Sequence, residues 1–184
     1  MNVVATDIPE VLIVEPKLFG DPRGFFLETY QLERYAAHGI SRPFVQDNLS
    51  RSARGVLRGL HLQNPTSQGK LVSVVRGCVL DVAVDVRRGS PTFGHHVAVQ
   101  LSEDNRRQFW VPRGFAHGFA VLSNSADFSY KCDNGYCPEC EIVIRWNDPQ
   151  LAIAWGIDNP SLSARDAAAP LLRDVANLPI YGDV

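Results

Sequence analysis

Residues 79–86 read Val-Leu-Asp-Val-Ala-Val-Asp-Val, an alternation that places Leu80, Val82, Val84 and Val86 on one face and Asp81, Ala83 and Asp85 on the other. A period of two is that of a β-strand, and the aliphatic face is the one expected to be dry. The stretch from His95 to Leu101 repeats the pattern, with Val97, Val99 and Leu101 sharing a face. Short β-rich runs also occupy 11–15, 25–29, 44–49, 56–62, 71–75, 108–111, 115–122, 127–132 and 142–146. Turns such as Gly20-Asp21-Pro22-Arg23-Gly24 and Gly89-Ser90-Pro91 separate many of them. About ten short strands predict an all-β fold, a β-sandwich or barrel, with the jelly roll as the commonest closed solution. Helix is expected only over 31–38 and over 164–176, where Pro170 interrupts it.

The chain has 184 residues, which predicts one domain over 1–184 with room for a real core. Hydrophobic residues make up 45% and charged residues 21%, which excludes wholesale disorder, collagen and coiled coil. The 18 basic and 20 acidic residues give a net charge of -2, so there is no chain-wide footprint for nucleic acid or an anionic membrane. Any anion must be met locally, by a basic set of fifteen arginines and only three lysines, Lys17, Lys70 and Lys131. The N-terminal stretch has no basic region, and its longest apolar run is Val11 to Val14. The expectation is a cytoplasmic protein with no membrane span. Its four cysteines are then expected as thiols. Cys132, Cys137 and Cys140 are spaced like half a zinc site, with Cys78 the one possible fourth sulfur, but one close pair and a straggler fall short of the usual two pairs.

Two segments put ionisable side chains inside apolar strands. The first is Val56-Leu57-Arg58-Gly59-Leu60-His61-Leu62-Gln63, followed by Lys70. A histidine between leucines is most often a satisfied core residue. Arg58 in the same strand changes the weighing, because a guanidinium cannot shed its charge and needs an anionic partner, a carboxylate or a ligand. Strict alternation sets Arg58 and His61 on opposite faces, so if both line one site, Gly59 marks a bulge. The second segment is Pro112-Arg113-Gly114-Phe115-Ala116-His117, whose P-x-G-x-x-H spacing resembles the second half of the cupin signature. Metal-binding cupins have an H-x-H pair in the first half, where this chain has His61-Leu62-Gln63. Gln is a poor substitute for imidazole, so no metal is expected and the site is expected to work by acid–base chemistry.

Eight collinear segments then resemble one family. They are Asp21-Pro-Arg23-Gly24-Phe25-Phe26, Gln46-Asp47-Asn48, Arg58-Gly59-Leu60-His61, Gly89-Ser90-Pro91-Thr92-Phe93-Gly94, Pro112 to Phe119, Tyr130-Lys131-Cys132 with Tyr136, Trp146-Asn147-Asp148-Pro149 and Leu162-Ser163-Ala164-Arg165-Asp166. Together they are similar to the dTDP-4-dehydrorhamnose 3,5-epimerase family. The resemblance runs from about residue 3 to about residue 175. It implies a metal-free, cofactor-independent cupin-type jelly roll that dimerises by exchanging N-terminal strands and serves dTDP-L-rhamnose synthesis for surface polysaccharide such as O-antigen. The segment after about 160 is expected to pack on the barrel.

The implied reaction inverts carbons 3 and 5 of a dTDP-linked 4-keto-6-deoxyhexose. Removing a proton alpha to a ketone needs a base, an acid on the opposite face and a cationic donor at the enolate oxygen. By resemblance the base is His61, oriented by Asp166, the acid is Tyr130 and Lys70 sits at the oxygen. Arg23 and Arg58 are expected on the diphosphate or nearby sugar and Tyr136 on the thymine. Glu28, Gln46, Asn48, Glu141 and Arg165 are expected around the nucleotide, and His117 near the sugar. With strand exchange, Arg23 and Glu28 serve the partner's site. Three alternatives stay open: an epimerase of one carbon or of another 4-keto sugar, an idle sugar-nucleotide binder, and a metal-dependent cupin oxygenase.

Overall fold

The computed structural model describes residues 1–183. Its strands, in chain order, are β1 (Asn2–Ala5), β2 (Leu12–Glu15), β3 (Leu18–Asp21), β4 (Gly24–Leu27), β5 (Gln46–Ala53), β6 (Leu57–Gln63), β7 (Lys70–Arg76), β8 (Cys78–Asp85), β9 (His96–Ser102), β10 (Gln108–Val111), β11 (Phe115–Val121), β12 (Ser125–Cys132) and β13 (Glu141–Val143). One sheet has the order β1-β2-β10-β7-β12-β5 and a second the order β13-β6-β11-β8-β9, while β3 and β4 form a hairpin apart from both. The sheets stack around a shared core, with Val72, Val74 and Phe109 from the first meeting Val79, Val99 and Phe115 from the second. This is an all-β jelly roll, and its antiparallel ladders account for the alternating runs in the sequence.

Helix is as scarce as expected. The first helix, α1 (Leu32–Ala36), is capped by the Gln31 side chain, which accepts the Arg34 N–H at 2.7 Å. The second, α2 (Ala164–Ala167), starts at Ser163, whose hydroxyl accepts the Asp166 N–H at 3.0 Å. It does not reach residue 176: the chain leaves the helix before Pro170, and only a 3-10 turn follows at Leu172–Asp174. Leu172, Val175 and Leu178 pack with Val82, Val84 and Trp155 on the outer face of the second sheet.

That packing corrects the reading of residues 79–86. In β8 the aliphatic face of Val82 and Val84 is dry because the C-terminal segment covers it, while the face bearing Asp81 and Ala83 is dry because the other sheet covers it. Both aspartates are fully buried. Asp85 is satisfied by Arg87, Ser90 and Thr92, which hold its carboxyl down at about 2 against the upward push of burial. Asp81 belongs to the candidate site.

Candidate active site

β6 and β11 run antiparallel with His61 opposite His117, and two residues further along β11, Phe119 faces Arg58. A three-residue step on β6 therefore matches a two-residue step on β11. This bulge brings Arg58 and His61 to the same cavity in spite of their odd spacing. Gly59 lies within it at φ +124°, where a Cβ would fall 2.6 Å from the Gly118 Cα. The left-handed backbone and the close approach of β11 both require glycine there.

The cavity, about 520 Å³, opens between the two sheets. From β6 it is lined by Arg58 and His61, from β7 by Lys70, from β11 by His117 and from β12 by Tyr130. His61 Nε2 lies 2.6 Å from Oδ1 of Asp166, which α2 delivers from the C-terminal segment. Burial pushes the Asp166 carboxyl up, but its contacts with His61 and Ser163 outweigh burial and hold it below the usual carboxylate value. Tyr130 is partly buried, and that burial raises its phenol, so it stays protonated at neutral pH. Burial lowers the Lys70 ammonium, an effect opposed by Cys132, Glu141 and Asp81, yet no carboxylate pairs with it among the described residues.

At the mouth stand Tyr136, Glu141 and Arg165. The Tyr136 hydroxyl donates to Glu141 Oε2 at 3.0 Å, and Arg165 pairs with the same carboxylate. Tyr136 is 56% exposed, so more than half of its surface is open to a ligand. Arg58 is also exposed and donates to the Ser52 hydroxyl at 3.0 Å. Its guanidinium has no carboxylate partner among the described residues and lines the cavity, which leaves a ligand as the anion it was expected to meet.

Four expected residues do not line this cavity. Arg23 pairs with Asp21 inside the β3–β4 hairpin, and Glu28 pairs with Arg34 of α1 at 2.7 Å. Gln46 accepts the Tyr136 N–H at 2.9 Å and donates to Asn48 Oδ1 at 3.0 Å, so both stand behind the mouth. Sequence reasoning did not give Asp81 a role here: its Oδ1 lies 2.9 Å from His117 Nε2. Burial raises its carboxyl, with His117 only partly opposing. Its Oδ2 is buried with no hydrogen-bond partner among the described residues.

Gln63, which stands where a metal-binding cupin has a histidine, is a loop strut. It donates to Thr66 O at 2.8 Å and Gly135 O at 3.2 Å and accepts the Cys137 N–H at 3.0 Å, which commits both ends of its amide. The expectation of four thiols is corrected at the next residues: Cys137 and Cys140 form a disulfide, because the 3-10 turn Pro138–Cys140 brings their Cα atoms to 5.3 Å. Both are only partly buried, whereas Cys132 is buried and free and Cys78 is free.

The chain is also similar to known proteins over nearly its whole length. The family described as dTDP-4-dehydrorhamnose 3,5-epimerase matches residues 5–174. The chain belongs to that family. A Shigella flexneri protein of the same description is 55% identical over 168 residues, covering 90% of this chain and 93% of that protein. A Pseudomonas aeruginosa relative is 52% identical over 183 residues, 97% of this chain and 100% of its own length. A Legionella pneumophila epimerase solved in complex with dTDP-4-keto-L-rhamnose superposes with a TM-score of 0.96 at 57% identity, covering 98% of each chain.

Proposed function

We propose that this epimerase inverts carbons 3 and 5 of dTDP-4-dehydro-6-deoxy-D-glucose to give dTDP-4-dehydro-L-rhamnose by proton transfer alone. The observation that carries the proposal is the meeting, in one cavity, of the His61–Asp166 pair, the protonated Tyr130 and the unpaired Lys70. His61 takes the proton alpha to the ketone and becomes an imidazolium, which the Asp166 carboxylate steadies. The electron pair moves to the ketone oxygen, where the Lys70 ammonium meets the developing charge. Tyr130 returns a proton to carbon from the opposite face, and the phenolate and imidazolium exchange with solvent before the second inversion. Arg58 and Arg165 face the diphosphate and Tyr136 the thymine; Glu141 holds the Tyr136 and Arg165 side chains, and Gln46, itself bonded to Asn48, holds the Tyr136 backbone N–H. His117 holds the sugar. Incubation with substrate in deuterated water tests the scheme: label at both carbons is expected, label at one alone points to a mono-epimerase, and no label sinks the reaction.

We also propose that the chain acts as one domain in a homodimer whose N-terminal strands are exchanged, with Arg23 and Glu28 completing the partner's site. The β3–β4 hairpin supports this, since Leu18, Phe19, Phe25 and Phe26 are each at least half exposed around Arg23. Mixing Arg23→Ala chains with His61→Ala chains restores activity if Arg23 acts across the dimer, because one mixed site then has both residues. Mixing restores nothing if Arg23 acts within its own chain. We place the reaction in the cytoplasm, supplying surface polysaccharide such as the O-antigen of lipopolysaccharide. No helix among the described residues is long and apolar enough to cross a membrane.

A further inference from the structure

Lys70 is the first residue of β7, and what fixes its place lies outside the cavity. Gly69, just before it, donates its N–H to Asp133 Oδ1 at 2.7 Å and accepts the Asp133 N–H at its carbonyl at 3.1 Å. Asp133 follows the end of β12, and its side chain is only 2% exposed. Arg113 closes the other side, its Nε within 3.2 and 3.0 Å of the two carboxylate oxygens and its Nη2 3.1 Å from the Asp133 carbonyl. No slack exists at Gly69, where a Cβ would lie 2.5 Å from the Trp110 ring and 2.8 Å from Asp133 Oδ2. The loop leading on to Tyr136 has separate supports, with Gln68 donating to Asn134 O at 2.8 Å and Gln63 to Gly135 O.

We propose that Asp133 is a positioning residue for the epimerisation: through the Gly69 peptide it sets where the Lys70 ammonium stands, and it leaves nucleotide binding alone. A buried carboxylate that receives a backbone N–H and a guanidinium at once is a rigid support, and Lys70 needs one because its side chain is long and has no carboxylate partner among the described residues. The inference rests on the proposed role of Lys70 at the enolate oxygen, so its test includes that residue. Lys70→Met is expected to lower kcat by about 10²–10³-fold, the loss seen when one oxyanion donor is removed. For a support displaced by a fraction of an ångström, Asp133→Ala is expected to lower kcat by about 100-fold, and Asp133→Asn, which still accepts from Gly69, by about 10-fold. In both Asp133 variants the Kd for dTDP, read by calorimetry, stays near its unchanged value.

The deciding measurement is the double variant, followed by deuterium incorporation over hours. If Asp133 acts through Lys70, adding Asp133→Ala to Lys70→Met costs little more than Lys70→Met alone. A similar further loss in that background, an unchanged kcat in the single variants, or a weakened dTDP Kd each overturns the inference. Should Asp133→Ala not fold, the same cycle is read with the isosteric Asp133→Asn. Full activity in Lys70→Met alone removes the role given to Lys70 and the inference with it, and is told apart because it needs no Asp133 variant.

Discussion

His61 and His117 are cross-strand neighbours in one cavity wall, and each sets its Nε2 against an aspartate, at 2.6 Å for Asp166 and 2.9 Å for Asp81. The His61 side chain is 30% exposed and the His117 side chain 9%. Asp166 arrives on a capped helix from the C-terminal segment, and its contacts keep it ionised; Asp81 sits in the barrel wall, where burial favours the neutral acid. His117 is also stacked on Phe128, with ring centroids 6.0 Å apart. A partly exposed imidazole with an ionised carboxylate behind it can take a proton from a ligand and be steadied in its charged form. A buried imidazole with a carboxyl poor at holding charge is suited to hydrogen bonding and shape. Two pairs of the same residue types are thus suited to different work, because one meets solvent and the other meets the core.

The largest effect that could break this comparison is on the histidines. His61→Ala is expected to lower kcat by about 10³–10⁴-fold and to abolish deuterium exchange at both carbons. His117→Ala is expected to keep exchange at both carbons, with a loss of about 10–100-fold in kcat/KM from poorer placement of the sugar. Exchange surviving at one carbon in His61→Ala but vanishing there in His117→Ala would reverse the assignment and make His117 a second base. The aspartates sharpen the point more gently. Asp166→Asn should lower kcat by about 10²–10³-fold, because an amide neither steadies an imidazolium nor enforces the tautomer. Asp81→Asn should cost less than about 10-fold, since an amide resembles the neutral acid that burial favours. Steady-state kinetics on the two variants checks this, and equal losses would mean that both pairs carry charge in the reaction.

Much of this was legible in the sequence, for local reasons. The alternation in 79–86 and 95–101 is a backbone periodicity and survives in any fold that uses those strands. The bulge at Gly59 follows from the odd spacing of Arg58 and His61 once both line one site. The residues that were missed depend on pairings that no single segment encodes. Asp81 looked like a solvent-facing member of an amphipathic strand, and only the stacking of the first sheet on the one that holds it shows that its face is interior. Asp133 lies just past a strand end, and its meaning appears once β12 lies beside β7 and brings it to Gly69. Arg23 lies in a family-like motif and Glu28 just after it, yet among the described residues their ion pairs are with Asp21 and Arg34. Strands β1 and β3 were not among the expected runs; their residues are mostly exposed.

The smallest expected effect is on stability, and its sign differs between the two pairs. Asp166 has a folded pKa below its unfolded value, so it stabilises the fold above the unfolded pKa, and that contribution is lost as pH falls through the folded one. Asp81 has a folded pKa above its unfolded value; its contribution is complete below the unfolded pKa and is lost as pH rises through the folded one. Asp166→Asn should therefore lower Tm at pH 7 and approach the unchanged protein at pH 3. Asp81→Asn should compare best at pH 7 and worst at pH 3, where the unchanged protein keeps its neutral acid. For a chain of this size each kcal/mol moves Tm by about 2–4 °C, so melts from pH 3 to 7 resolve the crossing. Parallel shifts of the two variants with pH would show that both carboxyls are held in the same ionisation state, and the distinction between the pairs would then rest on exposure alone.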